Sequence, residues 1–452
     1  MEPAVRPAPG TDLARALFTA SAPLSPHVHL FAAAGDLHLL VVDGDRIFRV
    51  DAEVFGRLQA AQGDAAAVER LLDELGLGGE PAIDDTPVAA PRVRALSLAV
   101  AQKCNLGCTY CYARQGEFGG APKSMDTATA LRAVDLLLGD AAPDERFNLA
   151  FLGGEPLANR EVIRMATERA AALAAARGAV VTFSITTNGT LLRAADAELF
   201  ERFGFAVTLS LDGPREVHDR LRPFKGGRGS YDAIMERVIP LLARQQRMQV
   251  SARVTVTPRN LALRETLDEL VGFGFHSVGF SPMLSSPTGC GEMGHAELAL
   301  MLEQMVACGG ELERRVAAGE RYPFANLVNA LREIHKGTHR PYPCGAGAGY
   351  LGVSADGDLA ACHRFVGDAE GAMGTLDGGV DRERQAAWLT QRHVHRQEPC
   401  RRCWARYLCG GGCHHEVIHR GRPACDYIRG WLHYCLGAYV RLSALRPDWF
   451  GA

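Results

Sequence analysis

The sequence lacks several features that would place it in a simple class. It has no cysteine in its first 103 residues, few aromatic residues (7%) and no excess of either charge, with Lys plus Arg at 49 and Asp plus Glu at 52. A net charge of −3 argues against a general nucleic-acid binder. No apolar run reaches the roughly 18 residues of a membrane span, and the N-terminus has no apolar segment after a basic start. These absences predict a soluble, cytoplasmic protein without a membrane or nucleic-acid partner.

What is present is enough apolar material for a core, since 47% of the 452 residues are hydrophobic and 22% are charged. This composition excludes global disorder, and the length predicts two or three domains. Thirteen cysteines are unevenly spread, with three between positions 104 and 111 and eight in the last 109 residues. In a reducing compartment, clustered cysteines are metal ligands more often than disulfide partners.

Residues 1–90 predict a small winged-helix-like domain. Strands are expected at 28–32, 37–42 and 47–50, and helices at 52–61 and 65–75. Asp43 and Gly44 separate the second and third strands, which is a strong hairpin signal. The polar, proline-containing segment 79–87 predicts a linker to the next domain.

Residues 91–340 alternate between extended and helical patterns. The predicted strands are 95–101, 147–152, 180–186, 206–211, 250–256 and 276–280. The predicted helices are 127–138, 161–176, 194–203, 232–243, 264–272 and 295–317. Six strand–helix units imply parallel strands with right-handed crossovers, so the fold class is α/β, a partial (β/α)6 TIM-like barrel. Its active site should lie at the carboxyl ends of the strands.

Residues 341–452 form the cysteine-dense third segment. This segment is rich in glycine and shows little sustained periodicity. We therefore predict an irregular C-terminal domain that depends on bound metal for its folding.

Three cysteines follow the first predicted barrel strand in a CxxxCxxC spacing: Cys104, Cys108 and Cys111. Three thiolates on one short loop can hold three irons of a four-iron cluster and leave the fourth iron open for a substrate or cofactor. The alternative is a three-cysteine zinc site completed by a histidine, although no histidine lies within the loop.

The sequence Gly153-Gly154-Glu155-Pro156 follows the second barrel strand. Two glycines permit close backbone approach to a ligand, and a carboxylate can accept a hydrogen bond from an ammonium group. Taken alone, this sequence would indicate an ordinary turn. Because it follows the cysteine loop by one strand, it indicates a ligand-binding loop instead. The glycine-rich stretch 226–231 does not follow a strand in a βαβ unit, so it predicts a turn or a substrate-side loop rather than a phosphate cradle.

These two motifs resemble those of the radical S-adenosylmethionine (radical SAM) enzymes. The resemblance implies that Cys104, Cys108 and Cys111 bind a [4Fe-4S] cluster whose open iron chelates S-adenosylmethionine. It also implies catalytic or cofactor-binding roles for residues around that cluster. They are Tyr110, Gly153, Gly154, Glu155, Asn188, Ser210 and Arg253, with Asp212 as a candidate general base.

Alternatives remain open for these positions. Asn188 and Ser210 could cap loops, and Arg253 could be solvated or salt-bridged. Asp212 precedes Gly213, and this pair also suits an ordinary turn.

The C-terminal cysteines resemble the SPASM extension of radical SAM enzymes that modify peptides and proteins. The resemblance implies two auxiliary [4Fe-4S] clusters, for three clusters in all. The first would use Cys344, Cys362 and Cys413, and the second Cys400, Cys403 and Cys409. Cys425 and Cys435 are the candidates for the remaining ligands, but the sequence does not assign either cysteine to a particular cluster. One cluster could therefore keep an open iron.

Other residues near these motifs have simpler expected roles. Cys290 and Cys308 lie outside both patterns and are expected to be buried, inert thiols. His363, His414 and His415 flank the ligand cysteines and could ligate or move protons, but structural roles beside the cysteines are favoured.

The radical SAM resemblance implies one-electron cleavage of S-adenosylmethionine to a 5′-deoxyadenosyl radical, with flavodoxin or ferredoxin as electron donor. The N-terminal module resembles leader-recognition domains, which bind a precursor peptide as an added strand. A DNA-binding winged helix is the alternative, but residues 1–90 contain no basic cluster.

The sequences around Cys111, Cys362 and Cys403 resemble those of thioether-forming maturases, such as the maturase of quinohemoprotein amine dehydrogenase. We therefore predict a maturase that joins a cysteine sulfur to a carbon in a precursor peptide or protein subunit. Carbon–carbon or carbon–oxygen cross-linking is the nearest alternative, and formylglycine formation on a sulfatase is more distant. A zinc-binding adaptor, with Arg401, Arg402 and Arg406 contacting phosphate, is the alternative from another class.

Overall fold

The computed structural model describes residues 26–44, 46–78, 86–337 and 339–451. An N-terminal antiparallel sheet has the order β1 (Val28–Ala33), β2 (Asp36–Val41), β3 (Arg46–Val50). It is followed by α1 (Ala52–Ala61) and α2 (Ala65–Glu74). Both helices begin at an aspartate whose carboxylate accepts a backbone N–H of the first turn.

The described elements of this module lie where the sequence predicts them. They enclose a small apolar core: Val28, Leu39, Val41, Leu58, Val68 and Leu72. Residues 1–25 of the predicted domain, and residues 79–85 of the predicted linker, lie outside the described residues.

The N-terminal sheet docks on the cysteine-rich segment. His29 of β1 stacks on Trp404 with ring centroids 3.6 Å apart, and its Nε2 lies 3.0 Å from Nδ1 of His433. Arg406, only 5% exposed, donates to the Pro26 carbonyl and pairs with Asp43. Arg406 is therefore committed to this interface and does not offer itself to phosphate.

Arg406→Ala should loosen this docking without unfolding the barrel. The substitution leaves the Asp43 carboxylate and the Pro26 carbonyl without their cationic donor. We expect β1 and β2 amides to exchange with solvent at least about tenfold faster. Arg402→Ala is the matched control, because Arg402 is exposed and pairs only with Glu398 in its own turn. Equal protection in both variants would contradict this account.

The docking should also weaken in acid. Burial lowers the pKa of His29 well below 6.5, helped by the neighbouring His433, and burial lowers the pKa of His433 as well. Protons therefore bind preferentially to the undocked or unfolded state, so the stabilisation is complete above pH 6.5 and falls as the pH drops below it. The expected loss is at most about 1.4 kcal/mol per pH unit for each histidine. Hydrogen exchange of β1, corrected for intrinsic rates, measures this loss. A His29→Gln/His433→Gln variant should show a weaker pH dependence, the remainder coming from buried His38 of β2, whose pKa burial also lowers.

Six parallel strands confirm the predicted partial barrel, in the order β4-β6-β7-β8-β9-β10. They are β4 (Ala95–Gln102), β6 (Arg146–Gly153), β7 (Val180–Thr187), β8 (Ala206–Ser210), β9 (Gln249–Val256) and β10 (Ser277–Pro282), with β5 (Lys123–Ser124) antiparallel to β4. The helices between and after them are α3 (Thr127–Leu138), α4 (Arg160–Arg177), α5 (Ala194–Phe203), α6 (Arg215–Leu221), α7 (Tyr231–Leu242), α8 (Leu263–Gly272), α9 (His295–Ala317) and α10 (Ala325–His335). Helices α6 and α10 are additions to the predicted set.

The two faces of the barrel sheet differ in chemistry. Side chains on the outer face, such as Phe151, Ile185 and Val254, are fully buried in the main core. Alternate positions on the inner face are more accessible and mostly small and polar: Asn148, Ser184, Thr208, Ser210, Ser251, Arg253 and Thr255. The barrel therefore encloses a polar interior that opens at the carboxyl ends of its strands.

The C-terminal segment carries more regular structure than its sequence pattern indicates. A strand, β11 (Tyr350–Val353), pairs in parallel with β4 and extends the barrel sheet. The other elements are β12 (Asp358–Ala360), β13 (Ala372–Thr375), β14 (Gly379–Val380), α11 (Arg382–Arg392), α12 (Arg406–Cys409), α13 (His414–Arg420) and α14 (Cys425–Leu445). The 21-residue helix α14 packs on α9 and α10, and its two internal glycines obscure its apolar stripe in the sequence. Within the described residues, no helix is long and apolar enough to cross a bilayer.

Candidate active site

The cysteine loop, residues 104–111, leaves the carboxyl end of β4 and is fixed by the segment that follows α6. Backbone N–H groups of Gly107 and Thr109 donate to the carbonyls of Pro223 and Leu221 at 2.7 and 3.1 Å. In the reverse direction, Lys225 donates to the Asn105 carbonyl at 3.1 Å. The loop is thus held like a strand against residues 221–225, a pairing that no motif in the sequence predicts.

A buried polar triad ties the same loop to the end of β8. The Tyr110 hydroxyl donates to Asp212, and Arg222 donates to the Tyr110 oxygen at 2.6 Å. The other Asp212 oxygen accepts the Thr255 N–H at 3.0 Å. Because Asp212 is fully buried and already accepts from two partners, it holds the loop in place. These contacts favour structural roles for Asp212 and Tyr110, whereas the general-base role of Asp212 and the cofactor-binding role of Tyr110 stay predictions.

The two glycines after β6 lie directly against the cysteine loop. A side chain on Gly153, which has φ +149°, would collide with the Ala101 carbonyl of β4. A Cβ on Gly116 would lie 2.7 Å from the Gly154 Cα and 2.9 Å from the Cys104 Cβ. The need for glycine here is therefore close packing of the loop on the turn, a reason beyond ligand approach.

Glu155 joins the carboxyl ends of β6 and β7 at the site. Its fully buried carboxylate accepts the Thr187 hydroxyl at 2.7 Å, the Asn188 N–H at 2.8 Å and the Leu157 N–H at 3.0 Å. Burial raises its pKa, and these hydrogen bonds oppose that rise. Three internal donors leave little capacity for the predicted ammonium contact, since a carboxylate offers about four lone pairs.

Glu155→Ala should destabilise the whole site. It leaves three buried donors unpaired, each at a cost of about 1–3 kcal/mol, so a loss of at least about 3 kcal/mol is expected. Glu161→Ala, which removes an exposed ion pair with Arg164, is the matched control and should leave the free energy of unfolding nearly unchanged. Denaturant titration of both variants measures the difference, and equal costs would refute the structural role.

Asn188 links the end of β7 to the cysteine loop. Its Nδ2 donates to Asn105 Oδ1 at 3.0 Å and lies 3.7 Å from the Cys104 sulfur. Its Oδ1 accepts from the Thr190 hydroxyl at 2.6 Å, and Asn105 in turn donates to that hydroxyl oxygen at 2.8 Å. The predicted site residue therefore lies beside the first cysteine. Asn105 and Thr190 were missed, although each adjoins a motif that was recognised.

Ser210 and Arg253 lie side by side on the inner face of the barrel, in register between β8 and β9. Arg253 donates to Ser281 of β10. The Arg253 side chain is solvent-accessible, but protein atoms surround it because it lies on the inner face of the barrel. Burial lowers the pKa of its guanidinium, and the carboxylate of Glu416 on α13 opposes that shift. Both predicted residues therefore face the cavity below the cysteine loop.

The cysteine loop meets a second cysteine segment through Tyr112. The Tyr112 ring lies 6.0 Å from the His363 ring, and the Arg364 guanidinium stacks over Tyr112 at 5.2 Å. Tyr112 directly follows Cys111, and His363 directly follows Cys362. Two cysteine-bearing segments that are far apart in sequence are therefore neighbours in the structure.

Cys362 lies near two other cysteines of the C-terminal segment. We call these three cysteines group A: Cys344, Cys362 and Cys413. Burial, and then the charges of Cys413 and Cys344, raise the pKa of Cys362 to about 12. Arg364 donates to the Cys413 sulfur at 3.6 Å and to Glu416 at 2.7 Å. This is the set that the sequence predicts for the first auxiliary cluster.

Five cysteines line one cavity: Cys413 of group A and four others, which we call group B, namely Cys400, Cys403, Cys409 and Cys425. Burial, and then the charges of the other three, raise the pKa of Cys409 to about 12. Group B contains the three cysteines predicted for the second auxiliary cluster and adds Cys425 as the fourth.

Cys435 lies outside both groups. It is fully buried in α14, where Glu313 of α9 is the charged group that acts on its pKa after burial itself. The prediction that Cys435 is a metal ligand therefore has no geometric support, because an interior position on α14 directs it toward α9. Cys308 is buried as expected, whereas Cys290 is exposed, contrary to expectation.

The donor sets fit iron–sulfur clusters better than single zinc ions. All thirteen cysteines are free, and buried thiolates need nearby positive charge. Arg222 acts on Cys108, Arg364 on Cys413 and Arg422 on Cys400. Tetrahedral zinc holds its thiolates about 3.8 Å apart, yet no trio of metal-ligating groups in the described residues that includes a cysteine lies within 4.8 Å. A four-iron cube is larger than one ion and accommodates wider spacing.

Comparisons with known proteins agree with this geometry. A model of the radical SAM superfamily matches residues 98–270. The serine-type anaerobic sulfatase-maturating enzyme of Klebsiella aerogenes is 28% identical over 338 residues, covering 72% of this chain and 81% of that enzyme.

Two solved structures share the fold. Native anSMEcpe with bound AdoMet has a TM-score of 0.63 at 20% identity, covering 78% of this chain and 99% of that one. SuiB of Streptococcus suis, bound to precursor peptide SuiA, has a TM-score of 0.52 at 15% identity, covering 88% of this chain and 97% of that one. Residues 98–270 of this chain therefore form a radical SAM domain.

Proposed function

We propose that this enzyme matures a ribosomally made precursor peptide or protein subunit by joining a cysteine sulfur to an unactivated carbon. The observation that carries the proposal is the contact between two cysteine-bearing segments, Cys111-Tyr112 and Cys362-His363-Arg364. The similarity to a sulfatase-maturating enzyme and to SuiB with its bound precursor peptide supports a peptide or protein substrate.

The cysteine loop would hold the reactive [4Fe-4S] cluster through Cys104, Cys108 and Cys111. When bound, that cluster and S-adenosylmethionine supply a 5′-deoxyadenosyl radical, which abstracts hydrogen. Ser210 and Arg253 line the cavity where the cofactor's polar groups would bind, and Asn188 lies next to the Cys104 sulfur. Tyr110, Asp212 and Glu155 keep the loop in place, so the site is preorganised before substrate binds.

Thioether formation removes two hydrogens from the substrate. One hydrogen atom leaves the substrate carbon for the deoxyadenosyl carbon, the thiol loses its proton, and one electron must leave as the sulfur–carbon bond forms. Group A, whose Cys362 precedes the His363 that contacts Tyr112, would hold an auxiliary cluster, and that cluster would supply the acceptor for this electron. An external flavodoxin or ferredoxin would supply the first electron.

The two auxiliary groups differ in their ligand count. Group B offers four thiolates, enough to complete a [4Fe-4S] cluster, which would be the third in the chain. Group A offers three, so one iron there would be free of cysteine and could hold a substrate thiolate. This difference in ligand count suits different roles for the two groups. Group A would lie next to the substrate, and group B would lie farther from it.

The N-terminal module would recognise the precursor. Among the described strands, β3 pairs with β2 alone, so its outer edge has backbone groups available for an added strand. The opposite strand, β1, docks on the cysteine-rich segment through His29. A leader segment bound at β3 would therefore be tethered to the body that carries groups A and B.

The test uses the short reading frame beside the gene as the candidate precursor. Anaerobic incubation with S-adenosylmethionine and reductant should give 5′-deoxyadenosine and a peptide lighter by two hydrogens. A thioether consumes the thiol, so the product should resist iodoacetamide and show the cross-link by fragmentation. An alkylatable cysteine in the product would favour carbon–carbon or carbon–oxygen cross-linking, and reaction with a hydrazide would reveal formylglycine.

A zinc-binding adaptor is the remaining alternative, and the three arginines that would contact phosphate are engaged elsewhere in the structure. Arg406 is buried in the domain interface, and Arg401 and Arg402 pair with Glu398. Iron analysis of anaerobically purified protein separates the readings: about twelve irons per chain suit three clusters. Colourless protein with zinc bound to cysteine would overturn the enzyme proposal.

A further inference from the structure

A trio of metal-ligating side chains contains no cysteine: Asp368, His415 and His419. Their ligand atoms all lie within 4.8 Å of one another. His415 and His419 occupy positions i and i+4 on α13, so both imidazoles leave the same face of the helix, with ring centroids 4.5 Å apart. Asp368 comes from the turn that follows Cys362 and faces them across a narrow gap, with its Oδ2 2.7 Å from His419 Nε2.

The trio is oriented before any ligand binds. Asp368 Oδ1 accepts the backbone N–H of Glu370 at 3.0 Å, which turns Oδ2 toward the histidines. The Phe365 ring packs against His415 at 5.1 Å and restricts the imidazole. Such supporting contacts are typical of metal ligands, because they fix the ligand atom's direction.

One polar atom here lacks a partner. Nδ1 of His415 is buried, and no hydrogen bond satisfies it within the described structure. An orphaned buried nitrogen is costly, and a metal ion is one way to satisfy a histidine in this position. The ion pair between Asp368 and His419 alone leaves that nitrogen unexplained.

We propose that Asp368, His415 and His419 bind one divalent transition-metal ion of the zinc class. Two imidazoles and one carboxylate are a common ligand set for such ions, and three protein ligands leave a position for water. Tetrahedral bond lengths near 2.1 Å require ligand atoms about 3.3 Å apart, which small side-chain rotations reach from the present separations.

The site's place in the fold gives the ion a structural role. It would tie α13, which begins directly after Cys413, to the turn that begins directly after Cys362. Those two cysteines belong to group A, which has three cysteines. A bound ion would therefore brace group A from outside.

The test uses cluster-loaded protein purified anaerobically, stripped with a mild chelator, given one equivalent of Zn2+ and desalted. We expect the unsubstituted protein to retain about one zinc per chain. In His419→Ala and in Asp368→Asn, zinc affinity should fall by about tenfold or more, while the iron content stays unchanged. His335→Ala, at an exposed histidine of α10, is the matched control and should keep its zinc. His419 is itself exposed, so its substitution should not disturb folding.

Zinc K-edge absorption decides where the ion lies. Nitrogen and oxygen neighbours without sulfur support the proposal, and their loss in His415→Ala would assign His415. Sulfur neighbours would mean that zinc had entered a cysteine site. That result, or zinc retention unaffected by the three substitutions, would overturn the proposal.

Discussion

Replacing Cys104, Cys108 and Cys111 together with alanine should abolish cleavage of S-adenosylmethionine while leaving the auxiliary sites loaded. These thiolates are the only cysteines on the loop that follows β4, so no neighbour can substitute for them. Iron should fall from about twelve to about eight per chain. Anaerobic iron analysis and the yield of 5′-deoxyadenosine measure both effects.

The control for this variant is Cys290→Ala, because Cys290 is exposed and lies outside every cysteine group. It should keep full iron and full cleavage. Cleavage that survives in the triple variant would show that the open-cluster assignment is wrong. Loss of all iron in the triple variant would instead indicate that the three sites fold as one unit.

Cys425→Ala and Cys435→Ala should differ sharply, although only ten positions separate the two cysteines. Cys425 lines the group B cavity, whereas Cys435 is buried against α9 beside Glu313. We expect Cys425→Ala to lose up to about four irons and to lose product formation, because one thiolate of a complete set is removed. Cys435→Ala should retain all its iron.

The cost of Cys435→Ala should be a small packing loss of about 1 kcal/mol, since only a sulfur atom leaves the core. Mössbauer spectroscopy of both variants distinguishes cluster loss from partial conversion. Iron loss in Cys435→Ala equal to that in Cys425→Ala would show that the two cysteines share a cluster and that the geometric grouping fails.

Much of the barrel could be predicted because hydrophobic periodicity is local information. Helices α3, α5 and α9 begin and end at the predicted residues, and the six strands agree within two residues at each end. The polar inner face was also legible in principle. Strands such as Val-Ser-Ala-Arg-Val-Thr-Val, residues 250–256, alternate apolar outer positions with polar inner ones.

The C-terminal segment could not be predicted to the same depth, because its order comes from pairing with distant elements. Strand β11 gains its partner from β4, some 250 positions earlier, and α14 depends on packing against α9 and α10. Likewise, the Cys425 and Cys435 choice rests on which face of α14 each cysteine occupies. Spacing alone gave no way to decide it.

Site residues divide in the same manner. Motif residues such as Cys104 and Glu155 were recognisable by sequence, but their partners were not. Arg222 and Asn105 lock the cysteine loop through contacts that no short motif encodes. The contacts of Asp212 are an example: its position at a strand end was evident, whereas its burial under Tyr110 depends on the folded loop.

The most direct test of the central claim, that the cysteine loop holds a cluster with an iron open to S-adenosylmethionine, is electron–nuclear double resonance. The reduced holoenzyme would be mixed with S-adenosylmethionine carrying 15N in its amino group. A hyperfine coupling between the cluster and that nitrogen, absent in the Cys104→Ala/Cys108→Ala/Cys111→Ala variant, is the predicted result. A fully iron-loaded enzyme that shows no coupling to the labelled nitrogen would contradict it.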